Sequence, residues 1–295
     1  MTVNSEFLHT FHKKMTFVTG KGGVGKSTYA LELAKGLYQD FGGKILLVEI
    51  GKTSSVARLG RLDIEGQFQP KATGLGFDLS LIDGDSCLYE YLGHILKVNR
   101  LAKVFLENKL MKSLIPLAPG LDDLAILGKL TSKVRNHGPQ WDYDTIIVDS
   151  PSTGAFLSMI NAPSYLSEMV TRGPLNKQSR EIHDVLSDES LCQYVFLTLP
   201  ENFPVDELIE STKVFSENFN TPYKVVLNKA LGEDRVLEEL SASHSKFAKF
   251  YFERRSFQKE IINQLHKNFG SVNGMLLDTD EGTSQKDSQC LFLNL

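Results

Sequence analysis

Residues 20–28 read Gly20-Lys21-Gly22-Gly23-Val24-Gly25-Lys26-Ser27-Thr28 and decide the fold. The stretch fits G-x-x-x-x-G-K-[ST], a phosphate-binding loop in which Lys26 faces phosphate and the Ser27 hydroxyl faces Mg²⁺. Its surroundings are the ones such a loop needs. Residues 14–19 form an apolar, β-branched run that predicts a strand, and residues 27–41 carry apolar side chains at helical spacing. Glycines permit backbone torsions closed to other residues, so main-chain N–H groups and a helix N-terminus can converge on the phosphates. Gly20, Gly22, Gly23, Val24, Gly25, Lys26, Ser27 and Thr28 are the expected nucleotide contacts.

The rest of the chain alternates strand and helix. Residues 43–50, 145–149, 193–199 and 223–227 read as buried strands, with a shorter candidate at 77–82. That alternation predicts an α/β fold with a mostly parallel sheet flanked by helices. We expect one domain over residues 1–275, a helical insertion at about 85–135, and a polar tail over 276–295. Residues 144–154, Asp-Thr-Ile-Ile-Val-Asp-Ser-Pro-Ser-Thr-Gly, put Asp149 at the end of a buried strand. There it can hold a Mg²⁺-bound water beside the phosphates, or simply open a turn. Asn228 follows the 223–227 strand and is either a base-reading amide or a turn former.

Composition narrows the classes. The chain has 295 residues, 41% of them hydrophobic, enough for a full core. A net charge of −4 gives no electrostatic footprint for nucleic acid. No apolar run reaches the roughly 20 residues that span a bilayer, and the N-terminus lacks a signal-peptide core, so a cytoplasmic protein without an integral membrane segment is expected. Three cysteines, Cys87, Cys192 and Cys290, lie far apart with no C-x-x-C pair, which suggests neither a disulfide framework nor a thiolate metal site.

The Gly-Lys-Gly-Gly-Val-Gly-Lys-Ser pattern with its additional Lys21 resembles the deviant Walker A ATPases, which include ParA, MinD, nitrogenase iron proteins and ArsA-type ATPases. The resemblance implies two subunits that sandwich two ATPs, as a homodimer or with a paralogue, with Lys21 crossing to the partner's phosphates. A solvated surface lysine is the other reading of Lys21. Ser150-Pro151-Ser152-Thr153-Gly154 is similar to the ArsA-type switch II, and residues 45–49 stand where the family has its switch I strand. Together with the order of the remaining segments, this looks like a bacterial member of the ArsA and tail-anchored-protein-targeting group over roughly residues 15–268.

The resemblance implies ATP and Mg²⁺ as ligands, Lys21 and Lys26 as catalytic groups, Ser27 and Asp149 at the metal, and Asn228 at adenine. It places residues 250–256 near the base. One position departs from the pattern: Gly51 stands where the family has an aspartate that orients the attacking water. The nearest carboxylate, Glu49, lies about 6 to 7 Å away along a strand, so hydrolysis is expected to be slow unless Glu49 substitutes. Glu49 otherwise reads as a buried-edge carboxylate held by loop N–H groups. Leu88, Tyr91, Leu92, Ile95 and Leu96, then Leu101, Val104, Phe105, Leu110 and Leu114, recur at helical spacing in the insertion. They form either a groove for a hydrophobic client or ordinary packing faces. A ParA- or MinD-type positioning ATPase and a non-hydrolysing nucleotide-binding protein remain the alternatives. Cys290 to Leu295, apolar and uncharged, does not fit a MinD-like basic membrane helix.

Overall fold

Strand β1 (Met15–Gly20) is buried along its whole length, as its unbroken apolar and β-branched sequence requires of a central strand covered on both faces. A computed structural model of the protein describes residues 8–62, 67–98, 120–230, 246–270, 273–277 and 290–294. After β1 come helix α1 (Lys26–Phe41), β2 (Ile45–Ile50), the short α2 (Ser55–Leu59), β3 (Lys71–Ala72), β4 (Asp78–Ile82) and α3 (Gly84–Val98). Then follow α4 (Leu121–Leu130), α5 (Ser132–Arg135), β5 (Thr145–Asp149), α6 (Thr153–Met169) and α7 (Pro174–Leu186). The chain continues through β6 (Cys192–Thr198), α8 (Asn202–Asn218), β7 (Tyr223–Asn228), α9 (Lys246–Phe269), β8 (Asn273–Leu277) and β9 (Cys290–Asn294).

These strands form one sheet in the order β3-β4-β2-β5-β1-β6-β7-β8-β9. The seven from β4 to β8 run parallel, and β3 and β9 pair antiparallel at the two edges. Alternate side chains leave the sheet on opposite faces, and the core divides accordingly. Met15, Phe17, Val148 and Phe196 pack under α4, α6, α7, α8 and α9, whereas Val18, Leu47, Ile147 and Val195 pack against α1. Helix α1 buries Tyr29, Leu33 and Leu37, spaced four apart, toward the sheet. On the other face Phe17 stacks on Tyr194 with ring centroids 5.4 Å apart. Truncating a fully buried ring such as Phe17 to alanine costs about 3–5 kcal/mol.

The main strands fall within two residues of their sequence-read bounds, and the shift in β2 has a local cause. Gly43 takes φ 81° and the Lys44 N–H donates to Asp144 Oδ2 at 2.9 Å, so a turn precedes Ile45. Strand β9, within the stretch read as a tail, returns to pair with β8, a contact that alternation along the chain does not reveal. Among the described residues no helix is long and apolar enough to cross a membrane.

The crossover order positions the site. The chain leaves β1, builds β2 and β4 beyond a gap, returns to fill that gap with β5, and then adds β6 on the other side of β1. In such a sheet the crevice at the carboxyl ends, where the winding reverses, receives ligands. Register sets Val18 of β1 beside Asp149 of β5, and Asp149 beside Glu49 of β2.

Candidate nucleotide site

The loop between β1 and α1 is shaped by contacts from two distant strands. A Cβ on Gly20 would lie 2.4 Å from the backbone oxygen of Leu197 on β6, and one on Gly25 would lie 2.3 Å from Nδ2 of Asn228 on β7. Gly25 also takes φ 98°, in the left-handed region that favours glycine. No side chain caps the N-terminus of α1 and no acid lies in its first turn. Its first N–H groups and the positive end of its dipole therefore face the loop's concavity, the arrangement that binds phosphate.

Lys26 Nζ donates to the carbonyls of Gly20 at 3.1 Å and Lys21 at 3.3 Å, which folds the ammonium over the loop. Burial lowers its pKa, against the opposing pull of Asp149 and Glu207. The Ser27 hydroxyl lies near enough to the Asp149 carboxylate to favour its ionised form, so the two residues expected at the metal are neighbours. Asp149 is 8% exposed, and among the described residues its Oδ1 has no hydrogen-bond partner. Burial raises its pKa to about 6; Glu49 adds to the rise, while Ser27 and Lys26 oppose it. A buried carboxylate oxygen lacking a donor, beside a serine hydroxyl, is a donor set suited to a hard divalent cation such as Mg²⁺.

Glu49 is engaged on both oxygens. Oε1 accepts from the N–H groups of Ser55 at 2.7 Å and Val56 at 2.9 Å, and Oε2 accepts from the Ser54 hydroxyl. The carboxylate thus holds the start of α2, in keeping with the loop-satisfied reading of this residue. Gly51, at φ 157°, donates its N–H to Ile82 O at 2.9 Å, and a Cβ there would touch nothing within 4 Å among the described residues.

Asn228 braces the loop: Nδ2 donates to Val24 O at 2.7 Å and Oδ1 accepts from Lys229 N at 2.8 Å. Among the described residues one N–H of the amide is left without a partner. Residues 250–256 lie within α9, where Phe250 is exposed. Leu88, Tyr91 and Leu92 line a largely apolar cavity of about 280 Å³ between α3, α4 and α7. The side chains of Ile95 and Leu96, and all of Leu101, Val104, Phe105, Leu110 and Leu114, lie outside the described residues.

Sequence reading missed Glu207 and Phe203, and the bond that Thr153 of the switch II-like run makes to Glu207. Lys21 does not project freely: Nζ lies 3.4 Å from Glu207 Oε2 and 3.3 Å above the Phe203 ring, both on α8. Thr153, the first residue of α6, donates its hydroxyl to Glu207 Oε1 at 2.5 Å. The Thr19 hydroxyl also donates to Pro151 O at 3.0 Å, tying β1 to the segment after Asp149. No local motif marks these contacts; an acid early in the helix after β6 was the available signal.

Comparison with known proteins shows the family. The profile of the ArsA-type anion-transporting ATPases matches residues 13–179. ATPase BagA of Mycobacterium tuberculosis is 28% identical over 226 residues, 73% of this chain and 65% of that protein, so the chain spans about two thirds of that relative's length. An ATPase ASNA1 homolog of Entamoeba dispar is 26% identical over 165 residues, covering 54% of this chain and 49% of its own. A virulence plasmid ParA family protein of Chlamydia psittaci is 29% identical over 173 residues, 56% of this chain and 59% of its own. With its P-loop, its strand-end Asp149 and a family match over more than half its length, the chain belongs to the ArsA-type anion-transporting ATPase family.

Proposed function

We propose that the chain is a nucleotide-switched ATPase that binds Mg²⁺ and ATP, closes as a dimer on ATP and hydrolyses it slowly. The observation that carries this reading is Asp149 beside Ser27, its Oδ1 buried and without a partner among the described residues, at the mouth of a glycine loop capped by Lys26. Lys26 and the loop N–H groups would move from their internal contacts onto the β- and γ-phosphates, stabilising charge where it develops. Ser27 and Asp149 would hold Mg²⁺, directly or through water, and the bound cation supplies further neutralisation of phosphate charge. Asn228 would give its remaining N–H to the adenine edge, and Lys21 would act across the dimer. Slow hydrolysis follows from Gly51, which offers no side chain to the attacking water, and from Glu49, whose oxygens are committed to α2. A cytoplasmic setting, one domain over residues 1–275 and a client at the helical insertion belong to the same proposal; the apolar cavity beside Leu88 and Leu92 supports the last.

Calorimetry with ATP and Mg²⁺ tests the site. Lys26→Ala should weaken binding strongly, because it removes the charge facing the phosphates. Unchanged affinity would sink the assignment.

A further inference from the structure

We propose that Phe203 and Glu207 form a docking site in cis for Lys21, which holds this lysine on its own subunit and must release it before it can act on a partner's phosphates. The inference rests on the trans role proposed above and adds the group that restrains it. The contacts are mutually oriented: the ammonium sits between a carboxylate oxygen at 3.4 Å and the face of an aromatic ring at 3.3 Å. Phe203 is 71% exposed, so its ring contributes little to the core, and the observed use of its face is to seat Lys21. The other oxygen of Glu207 is held by the Thr153 hydroxyl, four residues beyond Asp149. One carboxylate therefore grips both the loop lysine and the start of α6, so displacement of either element loosens the hold on the other. Glu207 is a positioning residue in this reading.

The strength of the restraint suits a reversible device. Lys21 and Glu207 are 30% and 33% exposed at the side chain, so their ion pair is screened by solvent. Together an exposed ion pair and an exposed cation–π contact bias an equilibrium by about 3- to 30-fold. That favours the docked lysine, yet it yields to a site carrying several phosphate charges. One ammonium cannot occupy both places.

Glu207→Gln tests this, since it keeps an amide oxygen for Thr153 and removes the charge. With a slowly hydrolysed ATP analogue and Mg²⁺, light scattering should show half-maximal dimerisation at about 2- to 25-fold lower protein concentration than for wild type, as two restraints are weakened per dimer. In a Lys21→Ala background the same substitution should change nothing. A gain there, or an unchanged or weakened dimer in the single variant, overturns the proposal. Amine labelling of nucleotide-free protein, read at Lys21 by mass spectrometry, should accelerate about 1.4- to 5-fold in Glu207→Gln; an unchanged rate also overturns the docking. Faster labelling while neither protein dimerises upholds the docking and refutes the trans role instead.

Discussion

Asp149→Asn should stabilise the nucleotide-free protein while abolishing its binding of Mg²⁺ and ATP. Asp149 is 8% exposed, Oδ1 has no donor among the described residues, and burial lifts its pKa from 3.8 to about 6. A folded-state pKa above the unfolded value means that folding disfavours the ionised carboxylate. The cost is absent below about pH 4, grows as pH rises, and is complete above about pH 6. At 1.36 kcal/mol per tenfold, the difference between 3.8 and about 6 amounts to about 3 kcal/mol. Asparagine keeps the shape and an oxygen near Ser27 without the buried charge. Denaturant unfolding in the presence of chelator, repeated from pH 4 to pH 8, should show the variant gaining on wild type as pH rises, by up to about 3 kcal/mol at pH 8. Calorimetry on the same protein should show Mg²⁺-dependent ATP binding lost. A variant less stable than wild type at pH 8, or a difference that does not change with pH, would refute the view that Asp149 is a strained carboxylate kept for a cation.

Three further outcomes bear on the site. Glu49→Gln should destabilise the fold by about 1–3 kcal/mol, because Oε1 serves two backbone N–H groups and Oε2 the Ser54 hydroxyl, and should leave turnover unchanged; lost turnover in a phosphate-release assay would make Glu49 a catalytic group instead. Gly51→Asp should raise turnover by about 10²-fold, the lower end of what a positioned general base contributes, since there is space for the side chain but φ 157° strains a residue with a Cβ. No change would mean that another residue positions the water. Lys21→Ala should keep appreciable monomeric ATP affinity by calorimetry yet lose ATP-dependent dimerisation by light scattering, and normal dimerisation would argue against the trans role.

What was legible in the sequence was whatever depends on neighbours along the chain. Gly20 to Thr28 announce a phosphate loop because backbone torsion and a following helix N-terminus are local matters, and β5 ending in Asp149 announces itself because a doubly covered strand must be apolar throughout. Tertiary structure decided how the flagged residues are used. The sheet order brings the ends of β2, β5, β1, β6 and β7 to one edge, so Asn228 presses on Gly25 and bonds Val24, and Leu197 leaves no room for a Cβ at Gly20. The same edge seats Lys21 on Phe203 and Glu207, and it buries Asp149 Oδ1 without a donor among the described residues. Hydrophobic period reports which face of an element is buried, but the partner a polar atom meets depends on which strands become neighbours. In a parallel sheet those neighbours are set by crossovers, and crossover order leaves no mark on local sequence.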